Sequence, residues 1–324
     1  MSGVVDVHAH VIVPEITREA APAEAWRPRV RREGGRQVVE VGGRELRSGV
    51  REWSDLDGIL ADQDAAGTDL VVLSPLVLLL GYDAEPDEAA RRARIQNAGL
   101  ARLVHEGGGR VAALGTVPLQ EPGLAAAELR SLMADDVLSG VEVAASVRGR
   151  YLGDDAFEPF WAAAGETGAL VFVHPTTRGF DVPALADHYL WNAVGNPLET
   201  TITAAHLVMT GTLERHPGLK VVLAHGGGAI LALRGRLRHA HSFQPQARAR
   251  LRESPADSLR RLHYDTVVHD RALLRALVET VGAERVLCGS DHPFDMGDPD
   301  PVATARRAGL DPDALGDTAM RLLA

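Results

Sequence analysis

The residues of this chain that could do chemistry fall at the ends of short apolar runs. VVDV leads into His8-Ala9-His10, VFV into His174-Pro175, VLA into His225-Gly226-Gly227-Gly228, and LCGS into Asp291-His292-Pro293. Alternation along a strand puts His8 and His10 on the same side, where two imidazoles can chelate one ion. A lone histidine is more often a hydrogen-bonded structural residue. Four runs that each end in His or Asp define a common rim, and that rim predicts a metal site. Imidazole and carboxylate donors favour zinc, with other first-row ions as alternatives. A histidine beside a cation also suits proton transfer at neutral pH.

Such a rim needs strands to build it. Eight short runs read as strands: residues 4–7, 69–73, 111–117, 140–144, 169–173, 220–224, 263–267 and 285–288. Several are apolar on both faces, as parallel strands covered by helices are. Helical stretches separate them at 56–66, 86–105, 124–134, 155–167, 200–215, 229–241 and 271–281, and Gly67, Gly168 and Gly282 sit where helices should end. Eight alternating units predict an α/β fold of the (β/α)8 TIM-barrel type, with active residues at the C-terminal ends of its strands. A doubly wound open sheet is the alternative, and the first strand lacks the glycine-rich phosphate loop that would favour it. Residues 1–324 read as one domain. Residues 14–53 form an insertion between the first and second strands, in which 37–41, a Gly42-Gly43 turn and 44–46 predict a hairpin over the barrel mouth.

Composition narrows the function. The net charge of −10 argues against nucleic acid and anionic membrane as main partners. No stretch approaches the roughly 18 apolar residues that span a bilayer, and the MSGVVDVHAH start lacks the features of a signal peptide. Cys288 is the single cysteine, so no internal disulfide forms and a reducing, cytoplasmic setting is expected. Of 34 Lys and Arg residues, Lys220 is the one lysine.

The motifs DVHAH, VFVHP, AHGGG and GSDHPF resemble those of the amidohydrolase superfamily. More narrowly they are similar to the group named for α-amino-β-carboxymuconate-ε-semialdehyde decarboxylase. The likeness runs through nearly the whole chain, including TVPLQEP, FEPFWAAAGETGALVFVHP and YDTVVHDRALLRALVETVGAERVLCGSDHPF. It implies that His8, His10, His174 and Asp291 bind one zinc ion, with Asp291 also counted in the catalytic set, and that His225 is the acid/base beside it. It implies Arg47 as the substrate-carboxylate binder, with Arg51 as a nearby alternative, and Arg236 as a residue reaching across a homodimer interface. Binuclear relatives bridge their metals with a carboxylated lysine on the fourth strand. Lys220 begins the sixth, so that bridge is unavailable, and Glu142 is the one carboxylate in the fourth that could replace it. His188 and Trp191, after the fifth strand, are candidate substrate contacts. Asp265 could orient a site residue or cap a helix, His292 could line the pocket, and Gly226–Gly228 would admit a ligand or a neighbouring subunit close to the backbone.

The expected activity is non-oxidative decarboxylation of an unsaturated or aromatic carboxylate, such as an aminocarboxymuconate semialdehyde-like compound, with no organic cofactor. A metal-assisted hydrolase or hydratase of a ring-cleavage product, lactone or amide would use the same donors. A binding protein on a dead barrel is disfavoured because every metal and acid/base position is filled. The substrate is expected to be a small carboxylate, and the apolar ETTITAAHLVMTGTLE helix is expected to pair with a copy of itself.

Overall fold

A computed structural model describes residues 3–17, 26–34, 36–47, 49–176 and 182–324. Its eight main strands are β1 (Val5–Val11), β5 (Leu70–Pro75), β6 (Val111–Ala113), β7 (Gly140–Ala144), β10 (Leu170–His174), β11 (Lys220–Leu223), β12 (His263–Asp265) and β13 (Val286–Leu287). All pair in parallel. Ladders join β1-β5-β6 and β13-β12-β11-β10-β7. The Gly115–Val141 bridge closes one gap, and Val7 N donating to Cys288 O at 2.9 Å with the Ala9–His292 bridge closes the other. The result is the closed barrel expected from eight alternating units.

Helices cover the strands. They are α1 (Pro14–Thr17), α2 (Leu56–Ala66), α3 (Pro86–Glu106), α4 (Pro122–Ala134), α5 (Glu158–Thr167), α6 (Asn196–Met209), α7 (Thr212–Arg215), α8 (Ile230–Phe243), α9 (Pro255–Leu259), α10 (Arg271–Val281), α11 (Pro301–Arg307) and α12 (Pro312–Leu323). Gly67 and Gly168 end α2 and α5 in the left-handed conformation, as expected. Gly282 instead has φ 98°, ψ 147° and turns the chain directly toward β13. The helices α1, α9, α11 and α12 were not anticipated, being short or beyond the last strand.

The barrel interior is filled from below by Val5, Val7, Val72, Leu114, Phe172, Val222 and Leu287, with Ala319 and Leu322 of α12 closing the bottom. Lys220 Nζ donates to Leu322 O at 3.1 Å, at the strand end opposite His174. Strict alternation from Val5 and Val7 would turn His8 outward. A register shift between Asp6 and Ala9 re-aims the strand, so that His8 packs on interior Phe172 with ring centroids 4.8 Å apart. The first strand also runs on through Val11, so both histidines lie inside it rather than at its end.

Among its described residues the insertion holds three antiparallel strands rather than two: β2 (Arg29–Glu33), β3 (Arg36–Val41) and β4 (Arg44–Leu46). β2 was missed because RVRRE carries one apolar residue and so no alternation to read. Residues 18–25, 35 and 48 of the insertion lie outside the described residues. A small ribbon, β8 (Ser146–Val147) with β9 (Arg150–Tyr151), follows β7.

His263 makes the fold sensitive to acid. Burial first, then the Arg285 guanidinium, push its imidazole down to about 4 from an ordinary 6.5. The folded chain therefore keeps it neutral where the unfolded chain would bind a proton. Its contribution is whole above pH 6.5 and is lost as pH falls toward 4, by on the order of 3 kcal/mol. Denaturant midpoints at pH 7 and pH 4.5 should separate in the natural chain and lie closer together in His263→Gln. An unchanged separation would show that His263 is not the group responsible.

Candidate metal centre and active site

Two strands and the segments that follow two others deliver the donors. β1 carries His8 and His10, β10 ends in His174, His225 follows β11 and Asp291 follows β13. His8 Nε2 lies 3.1 Å from His10 Nε2 and 3.1 Å from Asp291 Oδ1, and His10 Nε2 lies 3.2 Å from the same oxygen. His174 Nε2 is 4.0 Å from Asp291 Oδ1, and His225 Nε2 is 3.3 Å from Asp291 Oδ2. One donor atom from each of His8, His174, His225 and Asp291 falls within 4.8 Å of all the others. The Nε2 of His10 adjoins this group through His8 and Asp291.

The histidines differ in which nitrogen carries hydrogen. His8 Nδ1 donates to Asp265 Oδ2 at 2.6 Å, His10 Nδ1 to Pro75 O at 3.2 Å, and His174 Nδ1 to Pro175 O at 2.9 Å. Those partners only accept, so in each neutral ring Nε2 is left with its lone pair toward the cluster. His225 is the reverse. Its Nδ1 is buried without a partner, and its Nε2 donates to the Asp291 carboxylate. His174 Nε2 and Asp291 Oδ1 are also buried with no hydrogen-bond partner. Orphaned lone pairs that converge like this fit a divalent cation.

The electrostatics agree. Burial alone would lower the His8 imidazole, but Asp291 and Asp265 outweigh it and raise it to about 10. Burial likewise opposes, and Glu142 and Asp291 overcome it, in raising His10 to about 9. Burial and the neighbouring imidazoles hold His174 well below its usual value. Burial would raise Asp291, yet His8 and His10 hold it well below the ordinary carboxylate range. The negative potential that favours protons on His8 and His10 is one a cation would occupy in their place.

Of the supporting groups, Asp265 was offered by the sequence and Asp6 was not. Asp265 orients His8 and also accepts from His225 N at 3.0 Å and Gly226 N at 2.8 Å. Asp6 accepts from His8 N at 3.1 Å, Ser290 N at 3.0 Å and Gln63 Nε2 at 2.7 Å, tying β1 to the segment before Asp291. His225 and Asp291 have φ of 56° and 61°. Left-handed backbone is costly for residues other than glycine and concentrates at functional sites. The three glycines after His225 make room for the chain's own atoms, and Gly228 also lines the cavity above the donors. A Cβ at Gly228, φ +65°, would stand 2.0 Å from Pro197 O of α6.

Above the donors lies a cavity of about 550 Å³, within the usual range for a small-molecule site. His174, His225 and Asp291 form its floor, Arg36, Arg44 and Arg47 of the insertion one wall, and Trp191, Phe294 and His269 other parts. Trp191 opens a π-helical turn over Trp191–Gly195, a distortion often found at functional sites. Arg47 is held by Glu33 and Glu45 at 2.6 Å each, whereas among the described residues no ion pair holds Arg36 or Arg44. Arg51 is outside the lining. It pairs with Asp62, which also accepts from His292 Nε2 at 3.0 Å, so His292 faces Asp62 rather than the cavity. His188 is exposed and outside the lining, as is Arg236 on α8. Residues 177–181, between β10 and the candidate contacts His188 and Trp191, lie outside the described residues. Cys288 is buried and free, and its thiol is raised by burial. The apolar side of α6 is buried in the chain's own core, through Ala204, Leu207 and Val208.

Comparison with known proteins gives this site relatives. The amidohydrolase family matches residues 5–324. A 2-amino-3-carboxymuconate-6-semialdehyde decarboxylase from Dictyostelium discoideum is 31% identical over 246 residues, which are 75% of this chain and 68% of that one. The crystal structure of 5-carboxyvanillate decarboxylase from Sphingomonas paucimobilis superposes with a TM-score of 0.81 at 25% identity, covering 100% of this chain and 99% of the other. A dihydroxybenzoic acid decarboxylase from Polaromonas sp., solved with bound manganese and an inhibitor, shares the fold with a TM-score of 0.74 at 19% identity, covering 100% and 97%.

Proposed function

Because the chain belongs to the amidohydrolase family, we propose that it acts as a metal-dependent, non-oxidative decarboxylase of a small unsaturated or aromatic carboxylate. The observation that carries this reading is the pair of orphaned atoms His174 Nε2 and Asp291 Oδ1 at an arginine-walled cavity. His8, His10, His174 and Asp291 are assigned as the ligands of one divalent ion and His225 as the acid/base, on the contrast in which ring nitrogen each histidine leaves bare. Zinc is the proposed ion on donor type; the Polaromonas relative carries manganese, so both belong in a reconstitution series.

A cation bound here would polarise the substrate and supply positive charge against which the electrons left by departing CO2 can build. The chain's residues do the rest. Arg47, with Arg36 and Arg44 beside it, receives a substrate carboxylate through paired N–H donors. Trp191 and Phe294 bound an apolar space for a conjugated carbon skeleton. The C–C bond breaks toward that conjugated system, and His225, protonated on both ring nitrogens at this step, delivers the Nε2 proton that rests against Asp291 Oδ2 to the carbon that loses CO2 and is left as neutral imidazole.

Arg236 is proposed to reach a second copy's site. α8 buries only Ile230 and Leu231, leaving Leu233 and Arg236 on an open face suited to a homodimer. We place the enzyme in the cytoplasm on its single reduced cysteine. No described helix is long and apolar enough to cross a membrane.

The test is to incubate metal-loaded protein with hydroxybenzoates, carboxylated vanillates and muconate semialdehydes, following CO2 release and product mass. One CO2 per product is the expected result. Products heavier by one water with no CO2 would replace the decarboxylase reading with a hydratase or hydrolase one.

A further inference from the structure

One buried acid has no part in the chemistry above. Glu142 lies in β7, 0% exposed. Its strand neighbours Val141 and Val143 pack in the outer core, so alternation turns Glu142 to the barrel interior. Neither of its carboxylate oxygens has a hydrogen-bond partner. A carboxylate buried without donors is expensive unless a nearby group compensates it. The nearest such group is His10, whose Nδ1 stands 3.6 Å from Glu142 Oε2 and 3.2 Å from the Pro75 carbonyl. The opposite nitrogen of the same ring, Nε2, is the one at 3.1 Å and 3.2 Å from His8 and Asp291. The His10 ring therefore stands between Glu142 and the metal cluster. Glu142 faces the nitrogen turned away from the donors, which is the wrong side for bridging two ions.

The surroundings match a polar pocket built around this acid. The Tyr82 hydroxyl, which interacts with the Thr116 side chain, is buried nearby, and Ser74 Oγ is buried without a partner, its residue opposite His10 in the β1–β5 register. Burial chiefly, with the Glu142 charge adding to it, pushes the Tyr82 phenol above its ordinary value, which places hydroxyl and carboxylate in one electrostatic neighbourhood.

We propose that Glu142 is a positioning residue that sets its carboxylate 3.6 Å from His10 Nδ1, favours the tautomer whose Nδ1–H is given to Pro75 O, keeps Nε2 turned into the cluster, and so sets the affinity of the site for its cation without touching cation or substrate. A carboxylate behind a ligating imidazole fixes its tautomer and orientation and raises its donor strength. The proposal rests on the reading of His10 as a metal ligand.

The experiment compares the full chain with Glu142→Gln and His10→Ala. It measures the Co2+ dissociation constant by chelator competition, the visible spectrum of the Co2+-loaded protein, and the melting temperature of the metal-free protein. Glu142→Gln should bind Co2+ roughly 10–100-fold more weakly, shift the visible band, and melt metal-free at or above the natural chain's temperature. His10→Ala should lose more. Should Glu142→Gln not fold, Glu142→Asp carries the same comparison with a smaller loss expected. Unchanged affinity and spectrum in the Glu142 variant, with weakened binding in His10→Ala, overturns the positioning role and leaves His10 a ligand. Unchanged binding in His10→Ala overturns the ligand reading beneath it. A Glu142 variant that melts lower with its affinity intact has lost a structural group, and the proposal fails.

Discussion

Stripping the divalent ion with a chelator should lower turnover by about a thousandfold or more, and adding back one equivalent per chain should restore it. The magnitude follows from the chemistry. Loss of CO2 leaves an electron pair on carbon, and among the described cavity-lining groups the donor cluster is where a divalent cation could face it. Removing a single preorganised electrostatic stabiliser typically costs about 10²–10³ in rate, and a doubly charged ion does more than one N–H donor. The fold should register the loss as well. An ion present at about a hundred times its dissociation constant stabilises the folded state by about 2.7 kcal/mol. The chelated protein should therefore melt lower and recover on reloading. Reconstitution with zinc, manganese and cobalt in parallel ranks the native candidates. Full turnover after exhaustive chelation, with metal analysis showing no bound ion, would end the metal-dependent account.

His225→Ala should keep close to one metal ion per chain and lose roughly 10²–10⁴ in kcat, the range that positioned proton transfer contributes. This result separates two readings of a close geometry. His225 belongs to the donor group whose atoms lie within 4.8 Å of one another, so proximity alone makes it a candidate ligand. Its hydrogen bonding argues otherwise. His8, His10 and His174 each spend Nδ1 on an acceptor and leave Nε2 bare, whereas His225 has no acceptor on Nδ1 and points Nε2 at Asp291 Oδ2. A ligand would lose the ion along with turnover. A proton carrier would lose turnover alone, and kcat should fall while KM changes little. Loss of metal in this variant would move His225 into the ligand set.

Much of the site was legible in the residues themselves, because its geometry is partly local. A strand end carries its side chain to the barrel rim wherever the strand lies, so VFVHP, AHGGG and GSDHPF could be placed before any contact was known. The insertion was less legible. Arg47 lines the cavity and Arg51 does not, yet they stand only four positions apart and both are arginine. Asp62 on α2 decides between them by holding Arg51. Arg36, Arg44 and His269 also line the cavity without any motif to announce them.

Alternating apolar runs and helices, with four of the runs ending in His or Asp, were enough to determine a parallel barrel with a cation-binding rim. Periodicity and strand ends are properties of neighbouring residues. The tertiary structure alone decided how the donors aim. The shift in β1 that turns His8 inward exists only against β5. The acceptors that bare each Nε2 come from Asp265 and from Pro75, far from His8 and His10 in the chain. The left-handed backbone at His225 and Asp291 persists because surrounding packing holds it there. The tautomers of His8 and His10, the register of β1 and the strain at His225 and Asp291 are set by partners distant in sequence, so they became readable only once the chain had closed on itself.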